Sequence, residues 1–275
     1  MNVGQILTDY LDGLTNARLA LRSPSVLAPF VVFALAQAAL LTLLAFFDWP
    51  PAAPVLLPLV RGLGGEPAIH YPMHFVLLPR MWEPVYLTLV ATLGFGLWTF
   101  AVWTMVNHHE VGQRIAGRRF ASVLPSVLAV GVVFVVVSAG LGRILGTLVE
   151  RVPSGMPSRV VLGGAILVVA AAQAMLVYAP VVLRLRDVNA MQAIRASVRY
   201  ASRNFWPTAL VLATVLAAHI PLDAMISRAD RVALAFHPET VFYLMLGSIA
   251  LEMVTAYLLF SAVVGLALPE EGGLR

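Results

Sequence analysis

Apolar residues gather into six long runs along the chain, and the segments between them hold most of the charge. The runs cover 26–47, 84–106, 124–142, 160–183, 206–222 and 241–268. A membrane-crossing helix needs about 20 apolar residues to span a hydrocarbon core of about 30 Å. Each run is near that length, the fifth being the shortest. The pattern predicts an all-α fold: a polytopic membrane helix bundle with about six transmembrane helices arranged as three hairpins. Residues 1–275 then form a single integral membrane domain.

The intervening segments carry patterns of their own. Within 1–21, Val3, Ile6, Leu7, Tyr10, Leu11 and Leu14 recur at helical spacing, which predicts an amphipathic helix lying in the interface. Residues 188–203 predict a second such helix on the cytoplasmic side. Asn189 is its expected N-cap. Met191, Ile194, Val198 and Ala201 form one face, while Arg195, Arg199 and Arg203 fall four apart as a basic stripe. Between Asp48 and Trp82 the chain is proline-rich yet apolar. Residues 55–60 and 75–78 are too short to span, so they read as interfacial or re-entrant pieces. Trp49, Tyr71, Trp82 and Tyr86 suit the headgroup level. Arginine followed by proline opens runs one, three and five (Arg22 to Pro29, Arg119 to Pro125, Arg203 to Pro207), a weak repeat with proline expected in the first helical turn.

Composition narrows the chemistry. Hydrophobic residues make up 60% and charged residues 12% of the 275, against about 25% charged in soluble domains. The chain has no cysteine and no lysine, and all 18 basic residues are arginine. Disulfides, cysteine-ligated metals, Schiff-base chemistry and a P-loop are therefore excluded. Arginine without lysine, amid Ala, Leu, Val, Gly and Pro, suggests a GC-rich bacterial genome. The net charge of +4 fits cytoplasmic loops and anionic lipid headgroups, not nucleic acid. With a cytoplasmic N-terminus, 11 arginines fall on the cytoplasmic side and 7 on the other. The expected location is the bacterial cytoplasmic (inner) membrane, with both termini cytoplasmic. The first 25 residues lack a cleavable signal pattern, so the N-terminus is expected to be retained.

Few polar groups interrupt the runs. Glu252 is the most deeply placed acid, and an ionised carboxylate at mid-membrane costs about 2.5–3.5 kcal/mol on insertion scales. It must be neutral, paired or facing a wet cavity. Gln37, Gln173 and Arg143 are its candidate partners. Either Glu252 ties helices together or it forms a proton or cation site. His70, His74, His219 and His237 fall on one predicted side, but Pro72 breaks the His70–His74 pair, and no metal site or cofactor is expected. His108-His109-Glu110 reads as a solvated loop. No G-x-S-x-G or H-E-x-x-H occurs, and no catalytic residue is assigned. The pairs Gly94/Gly96, Gly140/Gly142 and Gly163/Gly164 read as sites of close helix packing.

One stretch, Tyr178 to Pro207, resembles bacterial multi-pass families of unknown function: the YciC-like proteins and the membrane domain of some glycerophosphodiester phosphodiesterases. Pro180, Asp187, Ala193-Ile194, Ser197 and Asn204-Phe205-Trp206 carry the resemblance in order. It implies a six-helix membrane module and transfers no catalytic residue. The leading expectation is a non-enzymatic inner-membrane protein, an accessory or scaffold subunit of a complex or an organiser of lipid or envelope. Its partners would be anionic lipids and other membrane subunits. The alternative is a transporter or permease subunit with Glu252 in a proton or solute pathway.

Overall fold

The computed structural model describes residues 24–109, 120–150, 158–186 and 188–272. The interfacial helix expected over 1–21 lies outside them. The described residues form helices throughout: α1 (Pro24–Ala45), α2 (Ala53–Gly64), a 3-10 turn (Glu66–Ile69), α3 (Met73–Leu89), a π-helical turn (Val90–Gly94) and α4 (Phe95–His109) come first. After these follow α5 (Phe120–Glu150), α6 (Ser158–Val177), α7 (Ala179–Leu185), α8 (Ala190–Arg203), α9 (Phe205–Ile226), α10 (Ala229–Ala235) and α11 (Thr240–Gly272). No strand occurs among the described residues.

Six helical stretches are long and apolar enough to cross a membrane: Pro24–Ala45, Met73–Val106, Phe120–Leu145, Gly163–Leu185, Phe205–Ile226 and Thr240–Ala267. Each overlaps one of the apolar runs. The second is the exception in length, at 34 residues, or about 51 Å at 1.5 Å per residue. Residues 75–78 are thus not a separate short piece but the first turns of α3. Pro79 and Pro84 lie inside that helix, so neither proline starts it. Pro29 and Pro125 likewise lie inside α1 and α5, past the first turn, where each removes one backbone hydrogen bond. The runs expose large apolar side chains that include Leu35, Val132, Val136 and Leu167. Apolar surface of this extent is suited to lipid.

Two compact units organise the described chain. The first comprises described residues 24–30, 90–217 and 255–272. Here α5 packs on α6 and α4, and α8 packs on α6 and α7. Tyr178 is fully buried and shares a 2.6 Å hydrogen bond with Thr208. Its ring stacks on Tyr200 of α8 with centroids 6.1 Å apart. Gly131 of α5 lies against the π-helical turn: a Cβ there would sit 2.9 Å from the Ala91 carbonyl oxygen and 2.9 Å from Phe95 Cβ. By contrast, a Cβ on Gly96, Gly140, Gly142, Gly163 or Gly164 would meet nothing within 4 Å among the described residues. Close packing therefore depends on Gly131, and the expectation for those five glycines is corrected. A glycine pair signals close approach only where its face meets another helix.

The second unit comprises residues 31–89 and 218–254. Its core joins Leu41, Leu44 and Phe47 to Phe75, Leu78 and Met81 of α3 and to Val241, Phe242 and Met245 of α11. The short helix α2 packs on α3 through buried Val60, and α10 packs on α3 through Ala229 and Val232. Trp82 joins the core, while Trp49 and Tyr71 are exposed. Trp82 thus packs in the core of the unit and not on its exposed surface.

Candidate functional site: an acidic cavity in the second unit

Three helical faces of the second unit converge on one cavity of about 320 Å³. On α3 they are Pro79, Trp82, Glu83 and Tyr86; on α11, Met245, Ser248, Ile249 and Glu252. Both sets follow the i, i+3, i+4, i+7 spacing that places side chains on one helix stripe. On α9 the wall is His219, Asp223 and Ile226, again at helical spacing, and α1 adds Gln37. The apolar members of these stripes join the core, and the polar members meet in the cavity.

Glu252 is the least exposed of its three acids. The Tyr86 hydroxyl donates a 2.9 Å hydrogen bond to Glu252 Oε1, and the Gln37 side chain also hydrogen bonds the carboxylate. Gln37 is 1% exposed, and its Oε1 has no hydrogen-bond partner among the described residues. By helix rise, Glu252 lies about 18 Å along α11 from Thr240, Glu83 about 15 Å along α3 from Met73, and Asp223 about 5 Å from the Ile226 end of α9. Acidic groups thus occur from near a helix end to roughly the middle of a 28-residue span. Glu83 and Asp223 are exposed, whereas Glu252 and Tyr86 are partly buried.

Of the partners anticipated for Glu252, Gln37 is one. Gln173 instead donates a 3.3 Å hydrogen bond to Ser138 within the first unit, and Arg143 is an exposed residue of α5. Tyr86 was not anticipated, because a tyrosine near the end of an apolar run reads as an interfacial aromatic. Its register with Glu83 and Trp82 was the available signal. His219 contributes to the cavity, but His70 and His237 do not line it. Among the described residues no group of three or more His, Asp or Glu side chains is placed to hold a metal ion.

The basic stripe occupies the first unit. Asn189 caps α8: its side chain accepts from Gln192 N at 3.0 Å, and Gln192 Oε1 accepts from Asn189 N at 3.2 Å. This capping box starts the helix at the expected residue. The buried face, however, is Ala193, Ser197, Tyr200 and Ala201, while Met191 and Val198 are 58% and 38% exposed. The face is rotated from the expected one because Tyr200 docks on Tyr178 and the small residues let α8 approach its neighbours. Arg195, Arg199 and Arg203 are exposed. Arg203 also lines a second cavity, of about 510 Å³, with Met175, Val198, Ser202, Phe205 and Trp206. Asp187 of the resembling stretch lies outside the described residues.

Fold and cavity together define an all-helical protein with six membrane-crossing candidates and an acidic, partly apolar cavity. No protein-family model matches the chain, and no match is found among curated proteins or solved structures.

Proposed function

We propose that this chain is a multi-pass membrane protein that passes a small solute or protons, with Glu252 in the pathway. The observation that supports this reading is the position of Glu252 in a cavity that also carries Asp223, Glu83, Tyr86 and Gln37. A helix tie would need one partner and no cavity. Polar groups inside a membrane helix are costly and mark pathways when they face a cavity. The test is proton flux into vesicles containing the purified chain, with Glu252→Gln beside the unsubstituted protein. Loss of flux with an intact fold supports the pathway, and unchanged flux refutes it.

A second reading, an accessory subunit of the cytoplasmic membrane, draws support from α8. Its exposed Arg195 and Arg199 alternate with exposed Met191 and Val198, a surface suited to anionic headgroups or a membrane partner. In this reading the chain is non-enzymatic, and its arginine distribution supports a cytoplasmic position for both termini.

A further inference from the structure

The cavity of the first unit joins a cation to an apolar wall. Met175 of α6, Val198, Ser202 and Arg203 of α8, and Phe205 and Trp206 of α9 line it. Arg203 is the one charged residue among the described residues of that wall, and it is exposed, so its guanidinium can reach a group seated there. No carboxylate occurs in α6, α7 or α8, nor in α9 before Asp223. The Ser202 hydroxyl donates to the Arg199 carbonyl at 2.8 Å, so its hydrogen is already engaged. The charge of the wall is therefore positive, carried by a planar fork of N–H groups that matches the oxygens of a phosphate.

The place of these residues in the chain separates the two chemistries. Arg203 ends α8 just ahead of the Phe205–Ile226 span, and Met175 lies within the Gly163–Leu185 span. Trp206 is 58% exposed in the first turn of its span, where an indole suits the headgroup level. Packing of α8 on α6 brings the two together, so one wall carries a cation at the start of a span and apolar groups from inside a neighbouring span. A soluble anion would use only the first and an apolar segment only the second, whereas a phospholipid uses both. The volume of about 510 Å³ falls within the range of small-molecule sites, about 300–1,000 Å³. Arg195 and Arg199 are exposed on the same helix but are not among the residues that line the cavity, so a lipid seated there meets Arg203 and not the stripe as a whole. We propose that this cavity seats one anionic phospholipid, its phosphate against Arg203 and the upper part of its acyl chains against Met175, Val198, Phe205 and Trp206. This inference rests on the second reading, in which α8 faces the membrane, and names one lipid class and its site.

The experiment is native mass spectrometry of the purified full chain in detergent, which counts the lipids held as phosphatidylglycerol is added. The expected result is one phosphatidylglycerol per chain, bound saturably and ahead of any others. Phosphatidylcholine has the same phosphate beside a fixed positive charge, which meets no carboxylate on this wall, so it should bind more weakly. Excess inorganic phosphate should not displace the lipid. Arg203→Gln should weaken the first binding by about tenfold or more, the effect of losing one charge-assisted hydrogen bond. Trp206→Ala should weaken it severalfold, and because both residues are exposed neither substitution opens a packed core. Arg195→Gln combined with Arg199→Gln should leave the first binding nearly unchanged. Absence of a saturable first lipid, first binding unchanged in both Arg203→Gln and Trp206→Ala, or displacement by inorganic phosphate overturns the proposal. Equal binding of phosphatidylcholine overturns the anionic requirement. Equal loss in Arg203→Gln and in the Arg195/Arg199 pair would refute the discrete site and leave the membrane-facing stripe standing.

Discussion

Adding one carbon to Gly131 tests how the first unit is packed. The Cβ of Gly131→Ala would lie 2.9 Å from the Ala91 carbonyl oxygen and 2.9 Å from Phe95 Cβ. Ordinary carbon–oxygen contacts begin near 3.3 Å and carbon–carbon contacts near 3.5 Å, so the carbonyl must retreat by about 0.4 Å and Phe95 Cβ by about 0.6 Å. Ala91 belongs to the π-helical turn, and its carbonyl is backbone, which no rotamer change relieves. Overpacking of this kind costs about 1–3 kcal/mol. Replacing a helical glycine by alanine returns about 0.5–1 kcal/mol. The net expectation is a loss of about 0–2.5 kcal/mol, centred near 1 kcal/mol. The control is Gly140→Ala, where the added carbon meets nothing within 4 Å and only the propensity gain of about 0.5–1 kcal/mol applies. Melting of both variants in the same detergent, at about 2–4 °C per kcal/mol for a large domain, should place Gly131→Ala several degrees below the parent and Gly140→Ala at or above it. A Gly131→Ala protein that melts with the Gly140→Ala protein would show that α5 does not press on the π-helical turn.

Tyr86→Phe removes the 2.9 Å hydrogen bond to Glu252. In a double-mutant cycle with Glu252→Leu, which removes the acceptor, the two should couple by about 0.6 kcal/mol, up to about 1.7, whereas strict additivity in melting would place Tyr86 away from Glu252. Converting Arg195, Arg199 and Arg203 together to Gln should lower the anionic phospholipid retained by the purified chain, at about 1 kcal/mol per arginine near a charged surface. Added salt should mimic the loss, and retention unchanged by either would assign the stripe to a protein partner. Reporter fusions at residues 115 and 195 should read cytoplasmic and one at residue 65 periplasmic. A periplasmic reading at 195 would invert the arginine argument.

Long apolar runs were legible because hydropathy dictates a membrane helix without regard to its neighbours. The capping box at Asn189 and Gln192 was half legible for the same reason: Asn189 acts within one turn. Faces were harder. Met191 and Val198 look like the inward side of α8 by apolarity, yet Tyr200, Ser197 and Ala193 are buried, since docking on Tyr178 selects shape over hydrophobicity. Five of the six paired glycines failed similarly, because close approach belongs to two helices and the pair is visible on only one. Helix starts misled at Pro84, where α3 continues through proline. The cavity was legible only at Glu252 and Gln37. Glu83 and Asp223 sit where flanking charge is ordinary, and only the convergence of α3, α9 and α11 gives their spacing a shared meaning.

Proton flux into vesicles reconstituted with Glu252→Gln separates a pathway from a helix tie. Glutamine keeps the shape and can still accept from Tyr86, but it cannot ionise. The pathway reading predicts a folded protein, with melting temperature near that of the parent, and flux reduced to the level of empty vesicles. Flux equal to the parent's in a folded Glu252→Gln protein would contradict it and leave Glu252 as a structural tie.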